Sequence, residues 1–199
     1  MPRRFRLHKP AFKAHYDITT EDDDGRAPTS FYVDIKIKPF ASNTPSLSLY
    51  AGSSSPAKHT PPLAASYKPA FSESIKVAIG DPASPDVQWE ELQKTRLSRF
   101  QYAWKRSTAS GELCMSWKRT SSEAVAGAEP RSSWSPRNWK LVDDASGDVL
   151  AVFTSDKGVG FAGTLELRSA KDTHDDKDWE LSVLMTLVCI YHRTTQGGG

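Results

Sequence analysis

Alternation of apolar and polar side chains is the strongest signal along this chain. In FYVDIKIKPF, Phe31, Val33, Ile35 and Ile37 fall on one face and Tyr32, Asp34, Lys36 and Lys38 on the other. That is the period of a half-buried strand. PSLSLYAG repeats it with Leu47 and Leu49, and SIKVAIGD repeats it with Ile75, Val77 and Ile79. LSRFQYAWKRSTASGELCMSWKRT reads as a hairpin: Phe100, Tyr102 and Trp104 share a face in one arm, Leu113, Met115 and Trp117 in the other, and STASG turns between them. A second hairpin, NWKLVDDASGDVLAVF, turns at DDASGD, where Gly147 is free to take a positive φ. GTLELRS adds a strand with Leu165 and Leu167 inward. The connections are too short for parallel crossovers, so the order is an antiparallel meander. Residues 51–70, rich in Ser and Pro and containing Pro61-Pro62, read as a long loop.

The last periodic segment breaks this rhythm. From Leu181 to Tyr191 there is no charge, and only Ser182 and Thr186 are clearly polar. Asp175, Asp176, Asp178 and Glu180 crowd its start, and His192 and Arg193 its end. Those charges complement a helix dipole and predict a helix over 178–193, with 196–199 as a tail. The apolar run is shorter than the roughly 20 residues a membrane span requires. A helix apolar on every side has to be buried on every side, which one flat sheet cannot do and a barrel can. The lengths match: about 15 helical residues rise about 22 Å, and a strand of about seven residues rises about 23 Å. The expected fold is mainly β, an antiparallel barrel of about nine strands enclosing the C-terminal helix.

Composition changes this picture little. At 199 residues the chain suits one domain. A net charge of +2 does not supply the concentrated basic surface that a nucleic-acid partner requires. Cys114 and Cys189 lie in apolar strings and read as buried free thiols, with no disulfide framework, which fits a reducing compartment. Residues 1–30 are basic and then acidic, and read as a partly flexible arm ahead of a barrel over 31–195. No secretory signal is present; a mitochondrial presequence shares the basic start, but Pro2 and Pro10 interrupt its helix. A cytoplasmic protein, peripheral at membranes, is the expectation.

Short antiparallel strands leading to a hydrophobic C-terminal helix, with NWKLVDDASGDVLAVF, GTLELRS and DWELSVLMTLVCIYHR as the closing portion, resemble the tubby C-terminal-like superfold. That group includes LURP-one-related proteins and phospholipid scramblases, and the likeness is to its fungal members. The resemblance covers about the last 100 residues. It implies a barrel of roughly twelve strands around the helix, which extends the expected count to roughly 9–12, and binding of phosphoinositide headgroups through cations on the wall. The cysteine-rich, membrane-inserting end of a scramblase has no counterpart here, which makes scramblase-like lipid handling the weaker implication.

The local feature that suits such a ligand is a repeat, AWKRS at 103 and SWKRT at 116, with NWKL at 138. Lys105, Arg106, Lys118, Arg119, Arg137 and Lys140 form the candidate anionic-headgroup site, since guanidinium grips phosphate in a bidentate way. The bland alternative is three core tryptophans with cations solvating an outer face. GVGFAG has dinucleotide-loop spacing, but a strand follows it where a helix is required. HDDKD at 174–178 better charges a helix start than holds a metal, and SPAK at 55 lacks its companion motifs. No cofactor is implied and nothing demands an enzyme. The expected function is a non-enzymatic module for anionic phospholipid headgroups, the alternative a protein-interaction domain using the 41–72 loop and the basic arm.

Overall fold

A computed structural model of the chain describes residues 2–21, 29–36, 45–69, 72–95, 100–108, 111–127, 137–156, 160–168 and 177–196. The acidic run at 21–24, much of the GVG loop, most of HDDKD, Ile37 and Lys38, and the tail at 197–199 lie largely or wholly outside these residues. Among them are twelve strands: β1 (Arg3–His8), β2 (His15–Thr20), β3 (Ser30–Ile35), β4 (Leu47–Ala51), β5 (Ala64–Tyr67), β6 (Ser74–Ile79), β7 (Trp89–Lys94), β8 (Gln101–Thr108), β9 (Gly111–Arg119), β10 (Trp139–Asp143), β11 (Val149–Ser155) and β12 (Phe161–Leu167). One helix follows, α1 (Lys177–Gln196). Each strand pairs antiparallel with its neighbour in sequence, and β1 pairs with β12 to close the barrel.

Period-two alternation sends one apolar set from each strand inward, for example Phe5 and Leu7 on β1 and Tyr102 and Trp104 on β8. The helix fills that interior. Every residue from Ser182 to Val188 has 0% exposure, about two helical turns, so no side of the segment faces water. Its two polar members are satisfied locally. Ser182 Oγ donates to the Asp178 carbonyl at 2.7 Å. Thr186 Oγ1 donates to the Val183 carbonyl at 3.1 Å and accepts from Trp117 Nε1 at 3.0 Å. No described helix is long and apolar enough to cross a membrane.

Several features depart from the sequence expectations. Residues 3–8 and 15–20, assigned to the arm, are wall strands. In RRFRLH, Phe5 and Leu7 point inward while Arg4 and Arg6 point outward to Glu166 and Glu21, so the arginines disguise an ordinary alternation. The Ser/Pro stretch contains β5, AASY, paired with both β4 and β6. Its small inward residues Ala64 and Ser66 leave room for α1, which runs closest to β5 and β6. Phe100 does not join Tyr102 and Trp104 inside; it is 46% exposed. Cys189 is buried as expected, whereas Cys114 is only half-buried on the outer face.

The glycine-rich connection leads directly into β12, as its alternation requires. Gly163 sits on β12 beside a register shift between Leu7 and His8, with φ of +148°. A Cβ there would lie 2.2 Å from the Thr154 carbonyl oxygen, so only glycine lets β11 and β12 approach.

Candidate anion site at one mouth of the barrel

The six cations singled out from the sequence do not form one patch. β8 and β9 place Lys105 opposite Cys114 and Lys118 opposite Gln101, at different heights on the outer wall. Lys105 is bonded to Glu112 at 2.8 Å, and Lys118 to Asp144 at 3.3 Å. Lys140 is the cross-strand partner of Lys118. Arg106 and Arg119 point inward at opposite ends of the hairpin. Arg106 lies 3.8 Å from Glu90 and stacks 5.9 Å over Trp179. Arg119 stacks 3.9 Å over Phe100 and 5.5 Å over Trp139, and burial holds its pKa below the usual arginine value. Arg137, at the same end as Arg119, is exposed. Spacing in sequence does not reveal the height of these residues along the strands.

Antiparallel order alternates the connections between the two mouths, and charge is sorted with them. The mouth at the start of α1 carries Asp81, Asp86, Glu112, Asp144 and Asp148 in its turns. Of its cations, Arg3 is held by Glu180 at 2.5 Å, Lys105 by Glu112 and Arg106 by Glu90, while Lys58 in the β4–β5 connection is exposed. The mouth at the end of α1 carries Lys9, Lys13, Lys36, Lys68, Lys94 and Arg137. Asp156 also lies at this end, as does Glu73, which Arg193 engages at 2.6 Å. Each mouth complements the helix terminus it surrounds, acidic at the positive end of the dipole and basic at the negative end.

A cleft of about 480 Å³ opens in the basic mouth between the β1–β2 turn and the last turns of α1. Lys9, Lys13, Arg137 and His192 line it with Tyr16 and Tyr191, and its described lining includes no carboxylate. Tyr16, inward on β2, has its hydroxyl 3.2 Å from His192 Nδ1. Lys9 lies 5.3 Å over the Tyr16 ring and donates to the Lys13 carbonyl. Its partial burial lowers its pKa from the ordinary lysine value. Burial, reinforced by the Lys9 charge, lowers the pKa of His192 as well, so its imidazole is predominantly neutral at pH 7. Burial raises the Tyr16 and Tyr191 hydroxyls, keeping both protonated, and Arg137 bonds the Tyr191 hydroxyl. Thr195 caps the helix by donating to the Tyr191 and His192 carbonyls, so these two acceptors are already engaged.

Cations and hydroxyl donors around a cleft whose described lining holds no carboxylate are groups able to engage an oxyanion. Its volume falls within the roughly 300–1,000 Å³ of small-molecule sites. The sequence showed the parts separately, as a basic N-terminal stretch and a His-Arg pair closing a helix. Joining them required knowing that residues 3–20 belong to the wall. No known protein family, curated protein or solved structure matches this chain.

Proposed function

We propose that this protein is a non-enzymatic binding module for the phosphate-bearing headgroup of an anionic phospholipid, received in the cleft at the basic mouth. The observation that carries the proposal is the convergence of Lys9, Lys13, Arg137 and His192 on one open cleft whose described lining has no carboxylate. Among the residues first singled out, Arg137 lines the site and Arg119 lies beside it. Lys105 and Lys118 are engaged by acids on the outer wall. A barrel around a C-terminal helix is also what the tubby-like resemblance implies, and kinship with that group belongs to the same proposal.

Sulfate and inorganic phosphate, titrated by NMR, test the cleft directly, and flotation with phosphatidylserine vesicles tests the lipid reading. A charge-assisted hydrogen bond contributes about 1.5–3 kcal/mol, so Lys9→Ala with Arg137→Ala should weaken anion binding by about tenfold or more. Lys105→Ala with Lys118→Ala should leave it unchanged. Absence of anion binding by the wild type, or an effect from the second pair alone, would refute the assignment. Binding of free anions without vesicle binding would favour a soluble phosphorylated ligand in the same cleft.

A further inference from the structure

Phe12 is the most exposed large apolar side chain described, at 107% of its reference exposure. It sits in the β1–β2 connection, where the Lys13 amide donates to the Pro10 carbonyl at 3.3 Å. Phe12 is thus the third residue of a four-residue turn, and its φ is +61°. Turn chemistry favours glycine or asparagine at such a position, because a side chain with a Cβ is strained in the left-handed region. A bulky apolar residue occupies the strained position and projects its ring into water. Neither packing nor hydrogen bonding within the fold accounts for that choice.

Its setting suggests what the ring meets. Lys13 follows it directly, Lys9 is three residues before it, and all three line the rim of the proposed anion cleft. The other exposed large apolar residue described, Phe100, lies in the β7–β8 connection at the same mouth. In the closed strand order, β1–β2 and β7–β8 stand on opposite sides of the ring. Two aromatics on opposite sides of one basic rim, with the acidic mouth at the far end, match an anionic bilayer surface. Apolar rings such as Phe bury at the boundary between its headgroups and acyl chains, and its potential attracts lysine and arginine.

Resting on the headgroup reading above, we infer that the protein docks on anionic membranes mouth-down, with the Phe12 turn inserted into the headgroup layer beside the lipid held in the cleft. The barrel axis then stands upright on the membrane, and the acidic mouth faces the aqueous phase. Phe100 with Arg119 forms the second foot on the far side of the rim.

Phe12→Gly separates this role from a structural one, because glycine relieves the φ strain. The variant should keep or raise the melting temperature, yet bind phosphatidylcholine–phosphatidylserine vesicles about tenfold or more weakly. That loss corresponds to burying one aromatic side chain. Phe12→Trp should bind like wild type, and its added fluorescence should be quenched by lipids brominated near the headgroup. Wild-type affinity in Phe12→Gly, or an unquenched Phe12→Trp on vesicles, would overturn the insertion. Wild type that binds sulfate but not these vesicles overturns docking and leaves the anion cleft standing. Wild type that binds neither removes the proposed function itself.

Discussion

At the scale of single residues, the informative positions are the polar ones that burial forces into specific pairs. Thr186 is wholly buried, and its hydroxyl is the acceptor for the Trp117 indole. Thr186→Val preserves shape but leaves that N–H buried and unpaired, which should lower stability by about 1–3 kcal/mol in a denaturant titration. The sequence identified Thr186 as a polar residue in an apolar run; its partner lies 69 positions away and follows from register alone. His192 predicts a pH effect. Burial and Lys9 hold its pKa below the ordinary 6.5, so the unfolded chain binds the extra proton more readily. Its contribution to stability is therefore complete above pH 6.5 and falls as pH drops toward the lowered folded value. An oxyanion in the cleft opposes that shift, so binding takes up a proton. Sulfate stays doubly charged across this range, and its affinity should rise between pH 8 and pH 6. The rise should flatten in His192→Asn, and a pH-independent wild type would exclude His192 from the site. Burial likewise pushes the Cys189 thiol up to about 12, so iodoacetamide should label Cys114 in the native protein and reach Cys189 only on unfolding.

At the scale of elements, the barrel and its helix were legible because both periods are strong and incompatible with each other. Strands such as β3 showed alternation, whereas α1 showed an uncharged run with acids before it and bases after it. β1, β2, β5 and β7 escaped notice, β1 and β5 for opposite reasons: arginines masked the alternation in one, and small residues left none to see in the other. Leu184 lies at 0% exposure inside the barrel. Leu184→Asp would place a carboxylate among apolar neighbours on every side. The loss exceeds the about 2–5 kcal/mol of a leucine-to-alanine change and should unfold a domain whose total stability is about 5–15 kcal/mol. Leu184→Met should cost less than about 1.5 kcal/mol, and far-UV circular dichroism distinguishes the pair. Gly163→Ala combines a positive-φ penalty with a clash against the β11 backbone and should cost about 2–4 kcal/mol. Gly111→Ala, where a Cβ meets nothing within 4 Å, carries the φ penalty alone and should cost less.

At the scale of the whole molecule, a net charge of +2 conceals an uneven sorting of charge between the two mouths among the described residues. The sorting follows from topology: once the strands form an antiparallel closed ring, successive connections alternate between mouths. Lysines at 9, 13, 36, 68 and 94 then fall at one end, and acids at 81, 86, 112, 144 and 148 at the other. Composition sums over that alternation and loses it. The same blindness affected the candidate site, because a WKR repeat in two hairpin arms looks like a cluster until antiparallel register moves its members apart.

The position of α1 at the end of the strand series also bears on biosynthesis. The twelve strands leave the ribosome before the segment that fills their shared interior, and β1 waits for β12, Arg3 pairing across to Leu167. Until the helix emerges, the inward faces have no partner except one another, so closure must follow translation of nearly the whole described chain. Such late, non-local pairing folds slowly and leaves apolar edges open to association. The nascent polypeptide is therefore a natural client for chaperones that shield unfinished sheets.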